Sequence, residues 1–434
     1  NSAPEAGLFL ISTENREKRR MTSPKGPWDT WDTDPAFSPD GRTLAFVRRK
    51  GVYVCDIYLE NPNTMEARRL TFDRAMIWGL AWTPNGRDIV FSSKRAGFAT
   101  LWTIPASGGE IEPVAGVGGN AFFPAVSPRG NLLAYADQEL NVNIWRVRVA
   151  PSGRAQGPPS EIISGTGLQV DDEISPDGKR VVFASDRSGD MEIWVANIDG
   201  SNPVQLTSLH SPLTGSPRWS PDGRWIAFDS RLAQHGGIFI VSAKGGTTRR
   251  LTPRLTPPSI EALLPSWSHD GRSIYFSGDA GGNWGIWKMP AQGGDAVRVA
   301  DGFGSRESDD GKWLYFGKWV GGGESPERGL KTSIFRTPVG GGAETLVFNG
   351  ATERFWTLAG QRLYFMDVNA KLHATLNCFD LATRKSTRIA DVEKEPFALL
   401  PWAGLSVSPD GSSIIYPQLD QQISRIMLVE NFRR

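Results

Sequence analysis

Short apolar runs separated by turn clusters recur along the whole chain of 434 residues. Thr43-Leu44-Ala45-Phe46, Asp88-Ile89-Val90-Phe91, Arg180-Val181-Val182-Phe183, Trp225-Ile226-Ala227-Phe228, Ser273-Ile274-Tyr275-Phe276 and Trp313-Leu314-Tyr315-Phe316 are the clearest. Their shortness and apolar density predict strands buried on both faces, as packed sheets require. A turn precedes these strands, with an aromatic or aliphatic residue next to it, as at Phe37, Trp82, Val126, Trp219 and Trp267. A third strand follows, marked by Leu101-Trp102, Ile144-Trp145, Ile193-Trp194, Ile238-Phe239, Ile286-Trp287 and Ile334-Phe335. A short fourth strand ends many units, as at Arg69-Leu70-Thr71, Gln205-Leu206-Thr207 and Arg250-Leu251-Thr252. No stretch carries a helical period of useful length.

The turn sets the repeat. Ser-Pro-Asp-Gly stands at 38–41, 175–178, 220–223 and 408–411, with variants at 83–86, 127–130, 268–271 and 308–311 and a decayed copy at 358–361. Successive copies are 40 to 50 residues apart. Pro presets φ at the first central position, Asp or Asn caps the turn, and Gly takes positive φ. The expected fold is therefore all-β: a closed β-propeller of four-stranded antiparallel blades, forming a single domain over 1–434. The count is nine blades, with eight as the alternative because the unit at 350–393 is degenerate. Residues 394–434 supply the inner strands of a last blade with no fourth strand. Residues 1–24, with Leu8-Phe9-Leu10-Ile11 and Arg19-Arg20-Met21-Thr22, read as its outer strands. An N-terminal strand is thus expected to close the C-terminal blade, because an open stack leaves apolar faces bare.

Composition narrows the partners. Lys+Arg 48 against Asp+Glu 47 leaves a formal charge of +1, without the basic excess of a nucleic-acid binder. No nucleic acid is expected to bind this segment. Nor is it expected to insert into a membrane, since no apolar stretch reaches the roughly 18 residues of a spanning helix. The chain begins at Asn1, which predicts a processed or excised form. Cys55 and Cys378 fall on equivalent strands of different repeats, so no bridge between them is expected.

The Ser-Pro-Asp-Gly turn, the aromatic ending the second strand, the Ile-Trp third strand and the Gly-Gly turn after it resemble the TolB-like propeller repeat, the Pro-Asp form of the WD-like repeat. The segment Ile426-Met427-Leu428-Val429-Glu430-Asn431-Phe432 is similar to the C-terminus of bacterial regulators that join a CadC-like winged helix to such a propeller. The resemblance implies a sensing or protein-binding role and a periplasmic or otherwise extracytoplasmic location. DNA would be reached only through a winged-helix domain absent from these residues.

Catalytic chemistry is not expected from the sequence. His210, His235, His269 and His373 form no metal-ligand pair, and Gly404-Leu405-Ser406-Val407-Ser408 fails the Gly-x-Ser-x-Gly pattern at its last position. The reading is of no enzyme, no catalytic residue, no metal and no cofactor. The turn carboxylates read as caps, and Asp186 to Asp190 as a hydrogen-bonded loop.

Geometry places a binding face where the loops between second and third strands meet the starts of the innermost strands. The candidates there are Trp31, Asp32, Asp34, Arg48, Trp78, Lys94, Arg95, Asp171, Asp172, Asp186, Arg187, Asp229, Arg231, His235, Asp279 and Trp284. Mixed charge with tryptophan suits a protein or a small polar ligand, a peptide or a sugar. Ion pairs that stiffen neighbouring blades are the plainer account of any single one. The expected function is a binding or sensing propeller, the sensor half of a winged-helix regulator. Two alternatives are a free-standing TolB-like periplasmic adaptor and a propeller hydrolase or lyase using Asp171, Asp172 and Asp186.

Overall fold

A computed structural model describes residues 7–24, 30–50, 54–72, 75–95, 98–129, 131–211, 213–232, 236–252, 261–279, 284–319, 331–352, 354–369, 373–392 and 404–432. Among them every regular element is a strand, thirty-five in all (β1–β35). The fold is all-β and built largely of four-stranded antiparallel sheets, as a propeller requires. By contact the chain divides into two compact units, residues 1–139 with 422–434 and residues 140–421.

Unit 1 holds two complete sheets. The first is β3 (Thr30–Phe37), β4 (Leu44–Lys50), β5 (Val54–Asn61) and β6 (Glu66–Arg69). The second is β7 (Ile77–Trp82), β8 (Asp88–Ser93), β9 (Thr100–Pro105) and β10 (Glu112–Pro113). Val47, Ile57, Ile77 and Phe91 pack between them. β11 (Ala121–Val126) pairs with the first half of β12 (Leu132–Arg148), and Phe432 joins Leu133 and Val90 in the next apolar layer.

Unit 2 holds six sheets. Five are consecutive: β14–β17 begins with β14 (Gln169–Ile174), β18–β21 with β18 (Thr214–Trp219), β22–β25 with β22 (Ala262–Trp267), β26–β29 with β26 (Phe303–Glu307) and β30–β33 with β30 (Trp356–Ala359). The sixth is assembled from distant segments: β34 (Ser406–Val407), the first half of β35 (Ser413–Glu430), the second half of β12, and β13 (Ser160–Ile163). Six apolar wedges join them in a cycle. Phe183 and Ile144 meet between the sixth sheet and the first, and Tyr416 and Met366 between the fifth and the sixth. The other four wedges lie between successive sheets. Each fully buried large apolar side chain contributes about 1.5–3 kcal/mol against chain entropy.

This arrangement corrects the expectation of nine blades in one ring. In unit 2 the sixth sheet packs against both the first and the fifth, and the sheets of unit 1 make apolar layers of their own. It also corrects the expected role of residues 1–24. The outer strands of the last sheet come from the middle of the chain, while β1 (Phe9–Ile11) pairs with β2 (Lys18–Arg20). That hairpin sets Leu8 and Met21 on Leu44, Phe46 and Tyr58. Residues 1–6 and 394–403 of that expectation lie outside the described residues.

The repeated turn works as its chemistry predicts. Ser220 Oγ donates to Asp222 Oδ1 at 2.6 Å, Arg224 N–H donates to the same oxygen at 3.0 Å, and Trp225 N–H donates to Ser220 Oγ at 2.9 Å. Gly223 closes the turn onto Ser220 O at 2.8 Å with φ 67°. The Ser220 hydroxyl holds the Asp222 carboxyl down to about 2. A second recurring device ties sheet to sheet. The indole N–H of Trp82 donates to Ala36 O, that of Trp219 to Glu173 O and that of Trp267 to Arg218 O, each on the preceding innermost strand.

Candidate functional site

Charge collects on the innermost strands of unit 2, and a bulge in four of them puts it there. The pairing register jumps between Val170 and Glu173, Gly215 and Arg218, Leu263 and Ser266, and Phe303 and Arg306. The displaced residues Asp171, Ser216, Leu264 and Gly304 all have φ between 51° and 56°. A bulge unpairs backbone groups and redirects side chains. Here the freed amides find partners on the sheet before. Ser216 N–H donates to Asp171 Oδ2, Leu264 N–H to Asp229 Oδ2 and Gly304 N–H to Ser277 Oγ, each at 2.9 Å.

Arg354, at φ 65°, joins this centre from the turn before β30. It donates to Ser216 Oγ at 3.2 Å and lies 3.9 Å from Asp171 Oδ1, in a pair whose side chains are 9% and 2% exposed. Burial raises the Asp171 carboxyl, and Arg354 opposes the rise. Burial also pushes Asp229 up to about 6, with the charge of Asp171 adding to it against the Leu264 N–H. Asp172 is 1% exposed and neither of its carboxylate oxygens has a hydrogen-bond partner among the described residues. Burial pushes it up to about 7, so it is close to half protonated near neutrality.

The residue after each bulge forms a second level. Glu173, Arg218, Ser266 and Arg306 occupy this same place on β14, β18, β22 and β26. Glu173 Oε1 is 3.7 Å from Arg218 Nε, and its Oε2 accepts the Trp219 N–H at 2.6 Å. A cavity of about 220 Å³ is lined by all four and reaches His269 and Asp309 in the turns. A larger cleft in unit 1, about 760 Å³, is lined by turn residues such as Asp40 and Asn85. Their side chains are already engaged as caps.

The sixteen sequence candidates fall in both units. In unit 1, Asp32 binds Arg48 through two bonds of 2.7 and 2.9 Å, and Arg48 lies over Tyr58. Asp34 pairs with Arg49 at 3.1 Å. Trp78 meets Phe122 edge to face at 5.2 Å, and Trp31 is half-buried on β3. Arg95 covers Phe91 and Trp102, while the Lys94 amide donates to Met76 O at 3.3 Å. In unit 2, Arg187 covers Phe183 and Trp194 and donates to Gln169 Oε1 at 2.8 Å. Asp186 accepts the Leu168 N–H at 2.7 Å, Arg231 pairs with Glu261 at 3.1 Å, and Trp284 O accepts from Arg298. His235 and the side chain of Asp279 lie outside the described residues. Asp171, Asp172 and Asp229 are the three candidates brought together in the charged centre.

Sequence reasoning missed Glu173, Ser216, Arg218, Arg306 and Arg354. A signal existed for some of them. Two residues before the turn Ser or Thr, unit 1 has Ala36, Ala81 and Ala125, whereas unit 2 has Glu173, Arg218, Ser266 and Arg306. A position that is alanine in three repeats of unit 1 and charged in three of the six of unit 2, with Trp356 and Ser406 in the other two beside Ser266, is not set by packing alone.

The fold accords with that of repeat propellers, and the chain belongs to the TolB beta propeller domain family, whose model matches residues 4–206 and 205–322. It is similar to the TolB homolog of Chlorobium luteolum, 28% identical over 164 residues, covering 38% of this chain and 36% of that protein. It is also similar to the uncharacterized peptidase YuxL of Bacillus subtilis, 26% identical over 209 residues, covering 46% of this chain and 30% of that one. The chain thus spans about a third of the length of these two relatives. Among solved structures, the putative TolB of Agrobacterium tumefaciens superposes with a TM-score of 0.52 at 18% identity, covering 65% of this chain and 99% of that one. That likeness is one of fold. The expectation that the chain is not an enzyme is corrected by the second relative: repeats like these occur in a protein named as a peptidase. A missing serine elbow tests one mechanism only, and the burial of Asp171 and Asp172 is a property of the fold that no motif records.

Proposed function

We propose that the chain is a binding propeller whose recognition site is the charged centre of unit 2, and that it takes a segment of a protein or a small polar ligand there. Unit 2 then acts as a closed six-bladed ring. The single observation that carries this reading is the substitution of Glu173, Arg218, Ser266 and Arg306 for the alanines of unit 1 at one repeat position. Burying ionisable groups costs several kcal/mol unless each is paired, so a scaffold gains nothing from them. The experiment is a thermal-shift screen of peptides, sugars and organic acids on the wild type and on Arg218→Gln. A ligand that raises the melting temperature only with Arg218 intact supports the site. Ligands that stabilise both proteins equally overturn it.

A second reading is acid–base chemistry at the same centre, favoured by Asp172 and Asp229 titrating between about 6 and 7. Turnover in a glycosidase, lactonase and peptidase screen that disappears in Asp172→Asn would establish it.

The likeness of Ile426 to Phe432 to winged-helix regulators supports a sensor role outside the cytoplasm, with a free-standing TolB-like adaptor as the competing assignment. A winged-helix coding sequence upstream of Asn1 separates the two.

A further inference from the structure

The second level of the charged centre has a chemistry more specific than general polarity. Arg218 and Arg306 stand at equivalent places on β18 and β26, with Ser266 at the same level on β22 between them. The Ser266 hydroxyl meets Ser305 Oγ at 3.2 Å, which ties it to the strand that carries Arg306. The order across three neighbouring strands is guanidinium, hydroxyl, guanidinium. All three line the 220 Å³ cavity.

Neither arginine is fully satisfied by the fold. Arg218 has Glu173 3.7 Å away and donates to the carbonyl of its own neighbour, Pro217, at 2.7 Å, while its Nε has no hydrogen-bond partner among the described residues. Arg306 donates only to the carbonyl of its own neighbour, Ser305, at 3.2 Å, and no carboxylate pairs with it among the described residues. A guanidinium offers five donors in a planar fork that matches a carboxylate. Burial holds Arg306 down to about 9, with the charges of Arg218 and Arg354 adding to the effect and that of Glu173 opposing it. An anion placed between Arg218 and Arg306 would offset their mutual repulsion.

We infer that Arg218, Ser266 and Arg306 form an anion site in unit 2 that takes a carboxylate, with Arg306 as its principal ligand. This rests on the reading of the charged centre as a binding site and names the ligand class. The cavity is smaller than the ~300–1,000 Å³ of ordinary ligand pockets, so the site holds one acidic group on a short stem. An aspartate or glutamate side chain, a peptide C-terminus and a free dicarboxylic acid share that chemistry.

The test is calorimetric titration of the whole chain, at constant ionic strength, with glutarate, its neutral isostere glutaramide, inorganic phosphate and an Asp-rich peptide. Saturable binding of glutarate at least tenfold tighter than glutaramide is expected, with at least a tenfold loss in Arg306→Gln and partial recovery in Arg306→Lys. Comparing glutarate with the peptide tells a free acid from a protein partner. Glutarate binding equally to the wild type and to a folded Arg306→Gln overturns the assignment. So does tight phosphate binding without glutarate binding. If neutral sugars or basic peptides stabilise the protein through Arg218 while no carboxylate binds, the anion site falls and the broader reading survives.

Discussion

Arg354 donates to Ser216 Oγ at 3.2 Å although 138 positions separate the two residues. They stand on the fifth and second sheets of unit 2, with two whole sheets between them in sequence. Such a bond forms only where innermost strands converge, and it joins the bulge residue Ser216 to the guanidinium that faces Asp171. Three of the groups involved, Arg354, Ser216 and Asp171, have positive φ. Backbone strain of about 1–3 kcal/mol per residue is retained only where surrounding contacts fix it. Here the contacts are the carboxylate-to-amide bonds that run from sheet to sheet.

Replacing Arg354 with glutamine should therefore cost more than a surface ion pair would. Asp171 is left buried without its cation, and losing one partner of a buried pair costs about 3–5 kcal/mol. The loss should be near that size at pH 8 and smaller at pH 5, where Asp171 escapes by taking a proton. Thermal melts of wild type and variant at both pH values measure it. An equal loss at both would show that Arg354 acts by packing alone.

Asp172 makes the opposite prediction. Its folded-state pKa, about 7, lies above the 3.8 of an ordinary aspartate. Between those values the native state holds more protons than the unfolded chain, so stability falls as pH rises from about 4 to about 7. Asp172→Asn removes this penalty. The variant should be more stable than wild type at pH 8, by on the order of 2–4 kcal/mol, and little different at pH 4. A variant that is less stable at pH 8 would mean that the carboxylate is paired in solution.

The strand repeat was legible because each turn carries its own chemistry at fixed spacing. The division into two units was not read, yet its trace is in the sequence. The expected second and third strands of one repeat, around Leu133 and Ile144, are in fact one strand, Leu132–Arg148. No glycine or proline stands between Asn131 and Ala150 to turn the chain, whereas Gly189 and Gly236 stand at the corresponding place in later repeats. A long strand of this kind can serve one unit with its first half and the other with its second. Charge at the centre was half legible. Asp171 and Asp172 stand out as an acidic pair, but Arg354 lies within the degenerate unit at 350–393, where the repeat loses its markers. Most of the other candidate cations prove to be latched to their own sheets: Arg48, Arg95 and Arg187 each lie over a phenylalanine ring of a second strand.

The turn serine offers a test in the acid range. Asp222 is held down to about 2, first by the Ser220 hydroxyl. A depressed carboxyl stabilises the fold above its unfolded pKa, near 3.8, and the contribution is lost as pH falls through about 2. Ser220→Ala should lower stability at pH 7 by about 1 kcal/mol, the value of one net hydrogen bond at a half-exposed carboxylate. The gap to wild type should close towards pH 2. A gap that is constant with pH would assign the loss to the bond from Ser220 to the Trp225 amide instead.

Gly200 separates steric contact from backbone strain. It sits at φ 83°, and a Cβ placed there would lie 1.6 Å from Ile162 O on the neighbouring sheet of unit 2. Gly223 has φ 67° with nothing within 4 Å of such a Cβ. Alanine at 223 should cost only the left-handed conformation, about 1–2 kcal/mol. Alanine at 200 adds a clash with backbone, which no rotamer relieves, and the two sheets must part there. A loss at least about 2 kcal/mol larger than for Gly223→Ala is expected, together with faster hydrogen exchange of the amides around Ile162. Equal losses in the two variants would mean that the sheets bearing Ile162 and Gly200 are not in contact in solution, and the wedge between the sixth and first sheets of unit 2 would have to be redrawn.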